Sequence, residues 1–157
     1  FVLRFDIRLY DYTPDNNLMT TFNRHFHRWI KRKYNTSRIG FGWAREQERA
    51  KQQHYHYALF LDGHKINRHW EITSRARTVL DNLNGSLWVP DNPTYMLNRS
   101  GKLEIQKAIY RISYLAKHRG KGMRYRPAQT KDYGASRIPK REVKDRLTSP
   151  TKSTNHT

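Results

Sequence analysis

Residues 1–10 (FVLRFDIRLY) alternate without a break. Phe1, Leu3, Phe5, Ile7 and Leu9 fall on one face, and Val2, Arg4, Asp6, Arg8 and Tyr10 on the other, which predicts a strand with one face in a core. After the turn-forming DYTPDNN stretch, Leu18 to Lys33 has helical spacing with Leu18, Phe22, Phe26, Trp29 and Ile30 inward, and Asn35-Thr36-Ser37 ends it. Ile39 to Glu48 and His54 to Leu61 are extended runs joined by a polar turn around Ala50, which predicts a hairpin closed by Asp62-Gly63. A second helix is expected over Ile66 to Leu83, facing inward through Ile66, Trp70, Thr73, Arg77 and Leu80 and stopped at Asn84-Gly85.

Leu87 to Val89 and Thr94 to Leu97 are short extended pieces around Pro90 and Pro93. Leu103 to Lys117 is amphipathic, with Ile105, Ile109, Ile112 and Leu115-Ala116 on its apolar side. Beyond Gly120 the Gly, Pro, Ser and Lys content rises and periodicity disappears. The order β-α-β-β-α-β-α predicts an α+β domain over residues 1–120, with a ferredoxin-like or RRM-like antiparallel sheet, helices on one face and an added C-terminal helix. Residues 121–157 form a basic, poorly periodic segment.

The chain has 157 residues, enough for one domain with a real core. With 20 Phe, Trp or Tyr it is not a mostly disordered chain. It has no Cys, which excludes a disulfide scaffold and a thiolate zinc site. No apolar run approaches a membrane helix, and no signal-peptide pattern opens the chain. It begins Phe1-Val2-Leu3 without Met and is expected to be a piece of a longer protein.

Charge changes the picture most. Lys and Arg number 31 against 13 Asp and Glu, a formal net charge of +18. In a folded, aromatic-rich domain that surplus points to a polyanion, by default nucleic acid, ahead of a merely soluble basic protein or a membrane-surface binder. Residues 117–157 carry twelve Lys or Arg against three acids, half of the excess.

Two elements carry candidate chemistry. His54-Tyr55-His56 opens an apolar strand, where residues i and i+2 share a face, so both imidazoles can converge on one ion. His25-Phe26-His27 lies in a predicted helix, where residues two apart diverge; these two are expected at the surface. Glu46 and Glu48 share a face on the preceding strand, and a hairpin brings one of them beside the histidines. Two imidazoles and a carboxylate suit a divalent Lewis acid such as Mn2+ or Mg2+, and also accept zinc or cobalt. Taken singly, these are equally ordinary strand histidines and solvated carboxylates. The second element is YRISYLAK, in which Tyr110, Tyr114 and Lys117 form an i, i+4, i+7 stripe opposite Ile109 and Ile112. A tyrosine beside an ammonium and a metal-bound phosphate gives up its proton more readily and becomes a nucleophile; on the helix alone, both tyrosines equally well cap a core.

A strand HxH, a nearby acid and a Tyr-x-x-Lys helix sixty residues on together resemble the HUH endonuclease superfamily, whose members nick single-stranded DNA. RFDIRLY, WAREQE followed by HYHYALFLDG, SYLAKHRGKG and the late YGASR occur in order across residues 4–137 and are similar to the replication initiation proteins of filamentous phages and related prophages. The resemblance implies that His54, His56 and Glu46 hold one divalent ion, Mn2+ or Mg2+. It implies Tyr114 as nucleophile, Tyr110 at the spacing of a second one, and Lys117 holding the phosphate or the ion. Rolling-circle replication would begin with Tyr114 joined to a 5′-phosphate, on a single-stranded origin or hairpin, with host replication proteins as further partners and the host cytoplasm as location. Arg4, Arg8, Arg119, Lys121, Arg124 and Arg137 would track the DNA phosphates. Tyr55 departs from the aliphatic residue that many members carry between the two histidines.

The main rival is a non-catalytic single-stranded nucleic-acid module of RRM-like fold, which shares the element order but has no use for a strand HxH beside a carboxylate. An iron oxygenase wants similar ligands but leaves the charge and the Tyr-x-x-Lys helix unexplained. A metal-dependent nuclease using water differs only in leaving no covalent adduct.

Overall fold

The protein was analysed as a computed structural model, which describes residues 1–47, 53–113 and 130–137. Among the described residues nine elements follow one another: β1 (Val2–Leu9), α1 (Asn17–Lys33), β2 (Gly40–Gln47), β3 (Gln53–Phe60), α2 (Trp70–Asp81), β4 (Gly85–Trp88), β5 (Thr94–Tyr95), α3 (Lys102–Ile112) and β6 (Tyr133–Ala135). The result is an α+β arrangement of one open antiparallel sheet and three helices. Strand order is β4-β1-β3-β2-β6, with β5 sharing the outer edge of β1. Among the described residues no helix is long and apolar enough to cross a membrane.

The alternation of β1 decides what lies inside. Leu3, Phe5, Ile7 and Leu9 are essentially inaccessible and face α1 and α2. Phe5 stacks on Tyr57 of β3 at 4.8 Å and meets Phe22 and Phe26 of α1 edge-on. Such ring pairs add roughly 0.5–1.5 kcal/mol each beyond the area they bury. α1 closes this face with Met19, Phe22, Phe26 and Ile30, while Leu18 and Trp29 sit half-buried at its edge. Its last turn carries Lys31, Arg32 and Lys33, the charge that complements the carbonyl end of a helix.

Several expectations from the sequence need correction. α2 begins at Trp70, not Ile66, and turns Ile72, Thr73, Ala76, Val79 and Leu80 inward. Ile66 does enter the core, but from the non-helical stretch ahead of α2, so counting helical periods from it rotates the inferred face. Trp70 is consequently 71% exposed, and Arg77 is exposed as well. On α3 the buried residue is Ala108; Ile105 and Ile112 are half-buried and Ile109 is exposed, because a small side chain makes the close approach. His27 is not a surface histidine. Its Nε2 lies 2.9 Å from the Tyr57 hydroxyl, which itself donates to Asn23 Oδ1 at 2.7 Å, so His27 serves as a satisfied donor at the edge of the core.

The basic C-terminal segment also contributes a strand that periodicity did not predict. β6 pairs with β2, Gly134 lying opposite Trp43. A Cβ at position 134 would come within 2.6 Å of the Trp43 indole, so only glycine lets the two strands close there. Asn16 ties the same segment to the start of α1, accepting from the Lys131 amide at 2.7 Å and donating to the Lys131 carbonyl at 3.1 Å.

Candidate metal centre

Strand register assembles the site. On β3, His54 and His56 point away from the helices, to the face opposite Tyr55 and Tyr57. Glu46 of β2 lies directly opposite His54, and Asp6 of β1 directly opposite His56. Four side chains from three adjacent strands therefore meet at the centre of the open face. Glu46 Oε2 sits 2.7 Å from His56 Nε2 and 3.2 Å from His54 Nε2. Ligand atoms of these three residues all lie within 4.8 Å of one another.

Asp6 does a different job. Its Oδ1 accepts from His56 Nδ1 at 2.9 Å, which fixes the tautomer and leaves Nε2 directed at Glu46. Both partners are nearly closed off from solvent, with side chains 12% and 10% exposed. Burial pushes the His56 imidazolium down, but the Asp6 and Glu46 carboxylates on either side outweigh it and hold His56 above its usual value. Burial likewise pushes the Glu46 carboxyl up, and the hydrogen bonds and charges of His56 and His54 bring it below the usual carboxylate range. Two imidazole nitrogens, one carboxylate oxygen and a carboxylate behind one imidazole are a donor set that could hold a divalent ion.

The structure brings together three expected residues, His54, His56 and Glu46, and adds Asp6. Sequence reasoning had Asp6 on the polar face of β1 without a role; the missing signal was register, which places it level with His56. Arg4 is 8% exposed and lies 3.6 Å from Asp6 Oδ1, so most of its side chain is built into the sheet beside the triad. Arg8 is exposed, with its guanidinium 5.9 Å from the centre of the Trp88 ring, and Arg137 is exposed beyond β6. Tyr110 is 73% exposed on α3, and its side chain makes no hydrogen bond or ring contact among the described residues. Tyr114, Lys117, Arg119, Lys121, Arg124 and the alternative ligand Glu48 lie outside the described residues.

The open face also carries aromatics on both sides of the triad. Across the row that holds Asp6, His56 and Ala44, Trp88 stands at one end and Tyr133 at the other, 44% and 72% exposed. Comparison with models of known families, with curated proteins and with solved structures finds no match.

Proposed function

We propose that this domain nicks and rejoins single-stranded DNA by a divalent-metal-dependent transesterification of the HUH type, opening rolling-circle replication of a phage or related mobile element in its host's cytoplasm. The observation that carries the reading is the Glu46–His54–His56 triad with Asp6 behind it, set in the middle of an open sheet face flanked by exposed aromatics. The β4-β1-β3-β2 order around a β-α-β-β-α-β core supports a ferredoxin-like scaffold.

His54 and His56 would hold Mn2+ or Mg2+ through nitrogen and Glu46 through oxygen, with Asp6 keeping His56 in the binding tautomer. Such an ion supplies Lewis-acid polarisation of a non-bridging phosphoryl oxygen. The attacking group is the Tyr114 phenolate. Its oxygen forms the bond to phosphorus while the bond to the 3′ oxygen breaks, giving a free 3′-hydroxyl and a 5′-phosphotyrosine. The ester bond is exchanged and not hydrolysed, so a later 3′-hydroxyl can reverse the step and join ends. Lys117 would neutralise the phosphate, and Tyr110, four residues before Tyr114 in the sequence, would be a second acceptor. Arg8, on the triad's face, and Arg137, beyond β6, would take flanking phosphates, with Trp88 and Tyr133 offering ring faces to unpaired bases.

The exposed aromatics are equally at home in a non-catalytic single-strand binder of the RRM-like kind, but the half-buried carboxylate–imidazole–carboxylate chain is not needed there. Incubating a labelled pool of single-stranded oligonucleotides with Mn2+ separates the two. Nicking that stops with EDTA and in His54→Ala and Glu46→Gln supports the endonuclease. Binding without cleavage, in every metal tried, overturns it.

A further inference from the structure

The helix side of the molecule, opposite the triad, has an aromatic and cationic cleft that the nicking chemistry leaves unused. It lies between α1 and α2 as a shallow depression of about 470 Å³ open to solvent, lined by Trp29, Trp70, Glu71, Ser74, Arg75 and Thr78. Trp70 presents most of its ring to solvent, and the His69 imidazole packs against it at 4.3 Å. Trp29 forms the facing wall, braced edge-on by Tyr34.

The charge around the cleft is one-sided. α1 and α2 together carry seven Lys or Arg against two acids. Of those acids, Glu71 is already taken by Lys33 at 3.0 Å and by the Tyr34 hydroxyl, and Asp81 is at the far end of α2. No carboxylate among the described residues pairs with Arg75, whose Nε–H also lacks an acceptor, or with Arg32, one turn along α1 from Trp29.

From this juxtaposition we infer that the α1–α2 cleft is a second binding site for single-stranded nucleic acid, with a base stacked on Trp70 and phosphates held by Arg75 and Arg32. Ring faces plus unpaired guanidinium groups are what sequence-independent single-strand sites are made of. An acidic peptide would satisfy the charge, but it needs apolar pockets for its anchors. Apart from the two tryptophans and Glu71 the lining is Ser74, Arg75 and Thr78, with no aliphatic side chain. The site is independent of the triad, and strand bound there would be held on the face away from the one where the triad sits.

The test is fluorescence anisotropy of a labelled oligo-dT 15-mer with the full chain in EDTA, so that only binding is read and the nicking proposal is not engaged. Trp70→Ala, at an exposed position, should leave the melting temperature unchanged and weaken binding roughly tenfold. Arg75→Gln should lower the slope of log K against log salt by about 0.7, the loss of one phosphate contact to a single strand. The Trp70 effect should persist in a Trp88→Ala background, since Trp88 is on the triad's face. Unchanged affinity in Trp70→Ala, or loss of its effect once Trp88 is gone, overturns the inference. So does Trp70-dependent binding of a Glu-rich peptide with oligo-dT affinity unaltered, which would make the cleft a peptide site.

Discussion

Asp6→Asn tests whether the acid behind His56 tunes the metal centre. The substitution keeps the shape of the side chain and removes its charge. In the native site Asp6 Oδ1 accepts from His56 Nδ1 at 2.9 Å, both groups almost out of solvent. An asparagine oxygen can still accept that bond, so the ring keeps its orientation but loses the electron donation of a carboxylate. Asp6→Ala loses both and also frees His56 to carry its proton on Nε2, the atom needed for metal. Carboxylates in this position are worth 10–100-fold in metal affinity, about 1.4–2.7 kcal/mol. We therefore expect Asp6→Asn near the lower limit and Asp6→Ala near the upper. The measurement is calorimetric titration of Mn2+ into each variant, with melting temperatures recorded because Asp6 also pairs with Arg4 at 3.6 Å. Asp6 acts only through His56, so in a His56→Ala background the Asp6 substitutions should cost nothing further. Native affinity in Asp6→Ala, or an equal loss in the His56→Ala background, would refute the reasoning.

Two further predictions concern the scaffold. Burial, helped by the Lys31 charge, pushes the His27 imidazolium down to about 4 from an ordinary value of 6.5. Between those values the unfolded chain binds a proton that the folded chain refuses, so this contribution to stability is whole above pH 6.5 and is lost as pH falls toward 4, by about 3 kcal/mol at most. Urea unfolding across that window should show a steeper pH slope in the native protein than in His27→Gln; equal slopes would remove His27 from the account. Gly134→Ala drives a methyl into the Trp43 indole and should cost about 1–3 kcal/mol. It should also speed hydrogen exchange of the Arg45 amide, which donates to the Asp132 carbonyl at 2.7 Å. Gly42→Ala, where an added Cβ meets nothing within 4 Å, is the control and should leave that amide protected.

Much of the fold is legible because β1, α1 and the β2–β3 hairpin each have one apolar face with the right period, and the core uses those faces. The histidine pair was readable for the same reason, since a strand HxH puts both rings on one side; the pattern left Glu46 and Glu48 open, and it was the resemblance that favoured Glu46. Three features were not. Asp6 depends on pairing between β1 and β3, partners some fifty residues apart whose register no local pattern encodes. Ile66 lies in the core without being helical, so periodicity alone misplaced the face of α2. β6 is three residues long and rests on a glycine fitted against one indole, a contact that composition cannot announce.

The central claim is a covalent exchange at phosphorus, and the protein–DNA adduct is its most direct record. Single-stranded DNA labelled so that the 5′-phosphate side of a nick retains the label is incubated with the protein and Mn2+, and products are separated on a denaturing protein gel. The account predicts a labelled band at the mass of protein plus DNA that needs the metal, disappears in Tyr114→Phe and in His56→Ala, and persists in Tyr110→Phe. Cleavage without any adduct, or an adduct that survives Tyr114→Phe, would contradict it.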